Sequence, residues 1–390
     1  MKRTGKIFRR ILCGILIILV LAIAGIYISG NAYIFKAFRK TYLKGYTTAY
    51  IDDYVDFNNA IVQSGVPQHW ELHEKFNQLQ LTDSLRKELE DFQTIGFGIF
   101  KDGKLLYEEY WNNYSDSSLT NSFSMAKSIT TILLGKAIKQ EYITGLDQKI
   151  TDFLPEFLKD SLGRMATVGN LSTMRSGFDW TEDYYSTFNV TTEAYYGEDI
   201  EKQLLKRHFS DRPGGHFRYL SANTQLLAMV LKRATGKNLA QYLSEEFWKP
   251  MGMENDALWS LSEGIEKSFC CVYSNVRDYA KLGQLLLQKG NWNGVQLLDS
   301  AFVELMIRPC YDAFRPDEPK RYGYSIWIDE TYQPAIYGFM GHLGQRIIVV
   351  PNENLVIVRL GKSRDTVRPS KGHLDADVYL MVDEVLEMIK

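Results

Sequence analysis

The chain has 390 residues, of which 45% are apolar, enough to bury one large core or two. A formal net charge of −2 gives no overall basic footprint and argues against nucleic acid as a partner. Six scattered histidines and four cysteines (Cys13, Cys270, Cys271, Cys310) fall in no ligand spacing, so no metal is implied.

In chain order, Lys2, Arg3, Lys6, Arg9 and Arg10 precede an uncharged run from Ile11 to Ser29. At 1.5 Å per residue that run spans about 28 Å, close to a bilayer core. A signal peptide cleaved near Ala22-Ile23-Ala24 is the alternative, but Ile26, Tyr27 and Ile28 carry the apolar character past that site and favour a transmembrane anchor. Lys36, Arg39, Lys40 and Lys44 make the far side basic too, so the positive-inside bias favours a cytoplasmic N-terminus only at five to four. The basic, aromatic stretch Ala32 to Tyr46 is expected along the lipid headgroups or as a plain linker helix.

Beyond this, Leu81 to Phe92 reads as an amphipathic helix. Two strands, Thr94 to Phe100 and Leu105 to Trp111, are joined by the turn Lys101-Asp102-Gly103-Lys104. A mostly helical block follows from about Thr130 to Ile307, with helices at Ser221 to Thr235, Leu239 to Trp248 and Val276 to Lys289. Strands return at Tyr324 to Ile328, Ile336 to Met340, Arg346 to Val350 and Leu355 to Leu360, and a last helix runs from about Asp375 to Ile389. This order predicts an α+β fold with one antiparallel sheet assembled from both ends of the chain, flanked by helices, with a mainly helical subdomain inserted. The adjacent Cys270 and Cys271 rarely bridge in such a pair and read as buried thiols.

The chemistry is organised around Asn121-Ser122-Phe123-Ser124-Met125-Ala126-Lys127-Ser128, an extended segment running into the apolar helix of Ile129, Ile132, Leu133, Leu134, Ala137 and Ile138. Ser124 and Lys127 then lie one turn apart on one side of that helix. A lysine in a dry pocket can take the serine proton, and the helix N-terminus offers N–H groups to an oxyanion. A second Ser-x-x-Lys at Ser84 sits in a charged run and reads as a solvated face. Two further stretches join the first: Pro213 to Asn223, a turn carrying Tyr219 into a helix, and Gly341-His342-Leu343-Gly344-Gln345 between two strands. A tyrosine beside Lys127 could work as a base, and glycines near 344 would let a substrate reach the Gln345 N–H.

With these three stretches in order, residues 94 to 361 resemble the serine β-lactamase and penicillin-binding superfamily. The resemblance is nearest the branch of class C β-lactamases, esterases and 6-aminohexanoate-dimer hydrolases. Leu171 to Gly177, Pro250-Met251-Gly252-Met253 and Asp278 to Gln284 look like that family's structural signatures. The resemblance implies a β-lactamase/transpeptidase-like fold in residues 81–390, with its sheet from 94–111 and 322–361 and its helical subdomain at about 130–307. Residues 1–30 would be the anchor or signal and 31–80 a linker and extension. It further implies Ser124 as nucleophile, Lys127 as its base and Tyr219 as proton shuttle, with the N–H groups of Ser124 and Gln345 as oxyanion hole and no cofactor.

Ser221, Asn223, His342 and Gly344 would line the substrate site, with Tyr184 and Tyr185 as a lid. Two departures bear on substrate. The family's Tyr-x-Asn is Tyr219-Leu220-Ser221 here, and its Lys-Thr-Gly is His342-Leu343-Gly344. Leu343 has no hydroxyl and His342 is only partly charged at neutral pH, which lowers the expectation of β-lactam turnover and raises that of a small linear ester or amide. The expected setting is a bacterial cell membrane, with one pass and the catalytic domain facing the periplasm or exterior. The alternatives are a D-Ala-D-Ala carboxypeptidase or β-lactamase and, in another class, a membrane-anchored cell-wall binding or sensing protein without turnover.

Overall fold

The structure, a computed structural model, describes residues 2–310, 321–367, 372 and 374–390. The chain divides into two compact units, one of residues 1–49 with 181–200, the other of residues 50–180 with 201–390.

The second unit is built on a six-stranded antiparallel sheet. Its strands in chain order are β1 (Thr94–Lys101), β2 (Lys104–Tyr110), β3 (Trp327–Asp329), β4 (Ile336–Met340), β5 (Arg346–Val350) and β6 (Leu355–Gly361). They lie side by side as β3-β4-β5-β6-β1-β2, so β6 from the end of the chain pairs with β1 from its beginning, as the element order implied. The alternation of side chains along β1 decides what covers each face. Phe97 and Ile99 pack into a core with Leu85 and Leu89 of the helix Asp83–Asp91 and Val378 and Val382 of the helix Ala376–Met388. Gly96 and Gly98 point the other way, where a Cβ would come within 2.8 and 2.6 Å of the Val276 methyls. The helix Val276–Leu287 rests on that bare surface, and its Gly283 would meet Ile347 and Val356 at 2.8 Å. Small residues on both sides bring helix and sheet into close contact, and a larger one at Gly98 would overpack the interface.

The helix Met125–Lys139 is buried on nearly every side, as an apolar helix without a polar face must be. Its buried hydroxyls are satisfied: Ser128 donates to the Ser325 carbonyl at 2.5 Å and Thr131 to the Ser325 hydroxyl at 2.9 Å. Ser325 has φ 57°, which breaks the strand expected at Tyr324 to Ile328 and delays β3 to Trp327. A second sheet, not anticipated, joins Asn59–Val62, Ala257–Ser262, Val272–Ser274 and Thr120–Asn121 in that order. The mainly helical block therefore also carries strands.

The cysteines require a correction. Cys270 and Cys271 are buried, but they are disulfide-bonded to each other rather than free thiols, with a Cα separation of 3.7 Å below the usual span. Cys271 takes φ 71°, a left-handed conformation in the turn that closes this small ring.

In the first unit, the helix Lys2–Ile28 contains, among the described residues, the single stretch long and apolar enough to cross a membrane, Gly5–Ile28. Its apolar side chains lie exposed. The helix Tyr33–Lys40 follows and packs against the helix Val190–Tyr196.

Candidate active site

Ser124 is the N-cap of the helix Met125–Lys139 (φ −65°, ψ −7°), yet its hydroxyl makes no capping bond. A capping serine accepts from a backbone N–H one turn on. Here the oxygen instead receives the Lys127 Nζ at 2.9 Å. The same nitrogen donates to the Phe269 carbonyl at 2.9 Å, and Lys127 is 1% exposed. Ser124 and Lys127 are thus held together by one helical turn and by a carbonyl from a distant loop.

Tyr219 completes the group, with the Lys127 Nζ 5.0 Å from its ring centroid. The turn that delivers it is pinned from below. Arg175 donates to the Gly215 carbonyl at 2.8 Å, and the Arg218 N–H to the Met174 carbonyl at 2.9 Å. The Tyr219 ring lies against Trp327 at 5.5 Å and edge-on to Tyr322 at 5.9 Å. Burial, and then the neighbouring Tyr219, push the Tyr322 phenol well above its ordinary range, so Tyr322 stays neutral and serves as packing.

The turn before Ser124 is strained. Phe123 has φ 44°, held by the Asn121 Oδ1, which accepts from the Phe123 N–H at 2.8 Å and the Cys271 N–H at 3.1 Å. The Asn121 amide in turn donates to Asp53 at 3.0 Å, and the Tyr273 hydroxyl donates to Asp53 at 2.9 Å. The strand end at Gly341 closes on this turn, where a Cβ would overlap the Ser122 carbonyl oxygen. Gln345 lies beside that contact, its Cβ 2.9 Å from the same position. Its carbonyl accepts from Gly341 at 2.8 Å, and its side chain is tied to β6 through the Gly361 carbonyl at 2.7 Å. Neither the Ser124 nor the Gln345 backbone N–H donates to a protein acceptor among the described residues. Two such donors suit an oxyanion.

Between β4 and β5 the chain makes a short turn over His342–Gly344, with Leu343 at φ 58° and Gly344 at φ 80°. Arg359, buried on β6, holds it by donating to the Gly344 carbonyl at 2.9 Å and the Leu343 carbonyl at 3.3 Å. Burial pushes that guanidinium down to about 10, still charged at neutral pH. His342 stands edge-on to Phe123 at 5.4 Å. Burial, then Arg364 and Arg346, push its imidazole down to about 4, so it is neutral at pH 7. The partial charge expected on His342 is absent.

Ser124, Lys127 and Tyr219 come together, with Gln345 and Gly344 on the facing strand end. Ser221 is buried at the first turn of its helix. Asn223 is committed elsewhere: fully buried, it accepts from the Ser176 hydroxyl and its amide faces the Met174 sulfur at 3.4 Å. Tyr184 and Tyr185 belong to the first unit and are exposed in it. Asn121, Asp53, Tyr273, Phe269 and Arg359 were not anticipated, and only the close pairing of a buried polar residue with each site element marks them. Among the described residues no group of His, Cys, Asp and Glu could hold a metal ion.

A family model described as Beta-lactamase matches residues 82–380. The chain is 24% identical over 323 residues to a 6-aminohexanoate-dimer hydrolase of Paenarthrobacter ureafaciens, covering 78% of this chain and 82% of the relative. Among solved structures, a putative 6-aminohexanoate-dimer hydrolase from Bacillus anthracis superposes with TM-score 0.70 at 22% identity, covering 85% of this chain and 90% of the other. A class C beta-lactamase superposes with TM-score 0.58 at 14% identity, covering 82% and 99%.

Proposed function

The chain belongs to the beta-lactamase family of serine hydrolases, and from that footing we propose that it cleaves a linear amide or ester through an acyl-enzyme on Ser124. The observation that carries this reading is the 2.9 Å bond between the Lys127 Nζ and the Ser124 Oγ, with the Tyr219 ring 5.0 Å from the same nitrogen. In this reaction Lys127 takes the Ser124 proton as the oxygen attacks the substrate carbonyl. The resulting oxyanion is held by the N–H groups of Ser124 and Gln345. Tyr219 delivers a proton to the leaving amine or alcohol, the carbonyl reforms, and the leaving group departs. A water then gives its proton to Tyr219 and attacks the Ser124 ester, and Lys127 returns its proton to the Ser124 oxygen as the acid is freed.

The relatives' activity supports an amide as the bond cleaved, by analogy with the 6-aminohexanoate-dimer hydrolase. A neutral His342 and an aliphatic Leu343 supply neither the cation nor the hydroxyl that would grip a β-lactam carboxylate, which favours linear substrates. Ser221 and Gly344 remain candidate substrate contacts. We read residues 81–390 as the hydrolase domain, 31–80 as linker and extension, and the helix over 1–30 as a single membrane anchor with the hydrolase outside or in the periplasm.

A panel of p-nitrophenyl esters, linear aminohexanoate amides, D-Ala-D-Ala peptides and a chromogenic β-lactam, with a fluorophosphonate probe, tests the function. Probe labelling lost in Ser124→Ala together with ester or linear amide turnover supports it. D-alanine release or β-lactam hydrolysis as the dominant activity would replace the substrate class, and labelling without turnover would replace the hydrolase by a binder.

A further inference from the structure

In the first unit a cavity of about 640 Å³ opens beside the end of the apolar helix. Such a volume lies within the range of small-molecule sites, roughly 300–1,000 Å³. Tyr27, the penultimate residue of the helix Lys2–Ile28, forms one wall, and Lys36 and Arg39 form another. Glu193 and Glu198 stand on the wall contributed by residues 190–198.

The position and the charges point the same way. A span of 24 residues, Gly5–Ile28, covers roughly 36 Å at 1.5 Å per residue, enough for a hydrocarbon core of about 30 Å. Tyr27 then falls at the boundary of the hydrocarbon, where aromatic side chains collect. The aromatic belt continues with Phe38 and Tyr42, stacked at 5.6 Å and half exposed. Lys36 and Arg39 lie one turn apart on one helix face, and neither pairs with a carboxylate among the described residues. The helix that carries them has no acidic residue of its own. Across the cavity, Glu193 acts on the Tyr33 phenol, which is raised first by burial and then by that charge.

We propose that this cavity binds the headgroup of a phosphatidylethanolamine-type lipid, its phosphate on Lys36 and Arg39 and its primary ammonium on Glu193 and Glu198. A phosphate accepts charge-assisted bonds from Lys and Arg, and an ammonium donates them to carboxylates. A choline headgroup has no N–H to donate, and a glycerol headgroup brings no cation for the two glutamates. The cavity therefore discriminates among lipids of one bilayer. This inference rests on the anchor reading above.

The test uses the full chain in nanodiscs holding ethanolamine, glycerol and choline phospholipids in equal amounts, with bound lipids counted by native mass spectrometry. The ethanolamine lipid should be retained roughly tenfold over the choline lipid, the worth of one good charge-assisted bond. Lys36→Ala with Arg39→Ala should bring all three to the same low level. Glu193→Gln with Glu198→Gln should abolish the preference for ethanolamine over glycerol lipid while leaving phosphate-dependent retention. Ester hydrolysis by the second unit checks that each variant is folded. Retention blind to headgroup, or an ethanolamine preference that survives loss of Lys36 and Arg39, overturns the proposal. Release of the lipid by millimolar inorganic phosphate also overturns it, since the ligand would then be a free anion. A chain that never enters the nanodisc fails the anchor reading and takes this inference with it. One that enters and keeps lipids indiscriminately fails this inference alone.

Discussion

The turn that starts the helix Met125–Lys139 and the turn between β4 and β5 are built in different ways. In the first, local spacing sets the pair, with Ser124 and Lys127 one helical turn apart, and the Phe269 carbonyl and the Asn121, Asp53 and Tyr273 network support it from a distance. The second rests on distant support, a left-handed pair at Leu343 and Gly344 held from β6 by the buried Arg359. The first turn keeps the Ser-x-x-Lys pattern, while the second has His342-Leu343-Gly344 where the family has Lys-Thr-Gly. Under the proposed function a helix fixes the bond-breaking machinery, and a loop with its own scaffold sets substrate choice.

The sharpest way to break this contrast is Lys127→Ala. With Lys127 as the base, kcat/KM for the best substrate falls by roughly 10³-fold or more in the folded variant. Activity within tenfold of the parent would mean that the bonded pair is structural and the comparison empty.

Arg359→Leu tests the other turn. It strands the carbonyls of Leu343, Gly344, Ser363 and Phe92, which now accept from one guanidinium. Leaving a buried carbonyl without its donor costs about 1–3 kcal/mol, read as a lower chemical-denaturation midpoint. A change below about 1 kcal/mol would show that the turn holds itself.

The two turns were unequally legible in the sequence. Ser124 and Lys127 could be read because three residues of helix set their distance. That both ends of the chain build one sheet was readable because β1 and β2 precede the helical block and β3 to β6 follow it, but the strand order was not. The network of Asn121, Asp53 and Tyr273 was not, because its members are separated by 68 and 220 residues and share no periodicity. The second sheet hid for a related reason: its strands run two to six residues, too short for alternation to stand out. The Cys270–Cys271 bridge went against a rule that holds for ordinary Cα spacings. Asn223 lies two residues past the family's asparagine position and was expected to line the site, but the helix turns it toward Ser176.

His342 gives a smaller effect with a definite sign. Its ordinary value near 6.5 falls to about 4 in the folded chain, so between those pH values the unfolded state binds more protons. Stability is therefore unaffected above about pH 6.5 and is lost as pH drops toward 4, by on the order of 2–3 kcal/mol from this group. In His342→Asn the denaturation midpoint should fall less over that window than in the parent. Equal slopes would mean that the imidazole charges freely in the folded state and that the turn is wetter than its burial implies.

The smallest effect separates sequence pattern from backbone. Placing the family's hydroxyl in this turn as Leu343→Thr invites the expectation of β-lactam turnover. The backbone argues otherwise, since residue 343 sits at φ 58° and ψ 18°. A β-branched side chain crowds its own backbone there, and the left-handed region costs such residues roughly 1–2 kcal/mol. Leu343→Thr should therefore lower the thermal midpoint by a few degrees without raising hydrolysis of a chromogenic β-lactam. Leu343→Asn, whose short amide tolerates that region, should keep the midpoint or raise it. A threonine variant as stable as the parent and at least tenfold faster on the β-lactam would mean that the turn re-forms as an extended strand. In that case the departure at 342–344 would be a matter of side chains alone, and the two turns would no longer differ in kind.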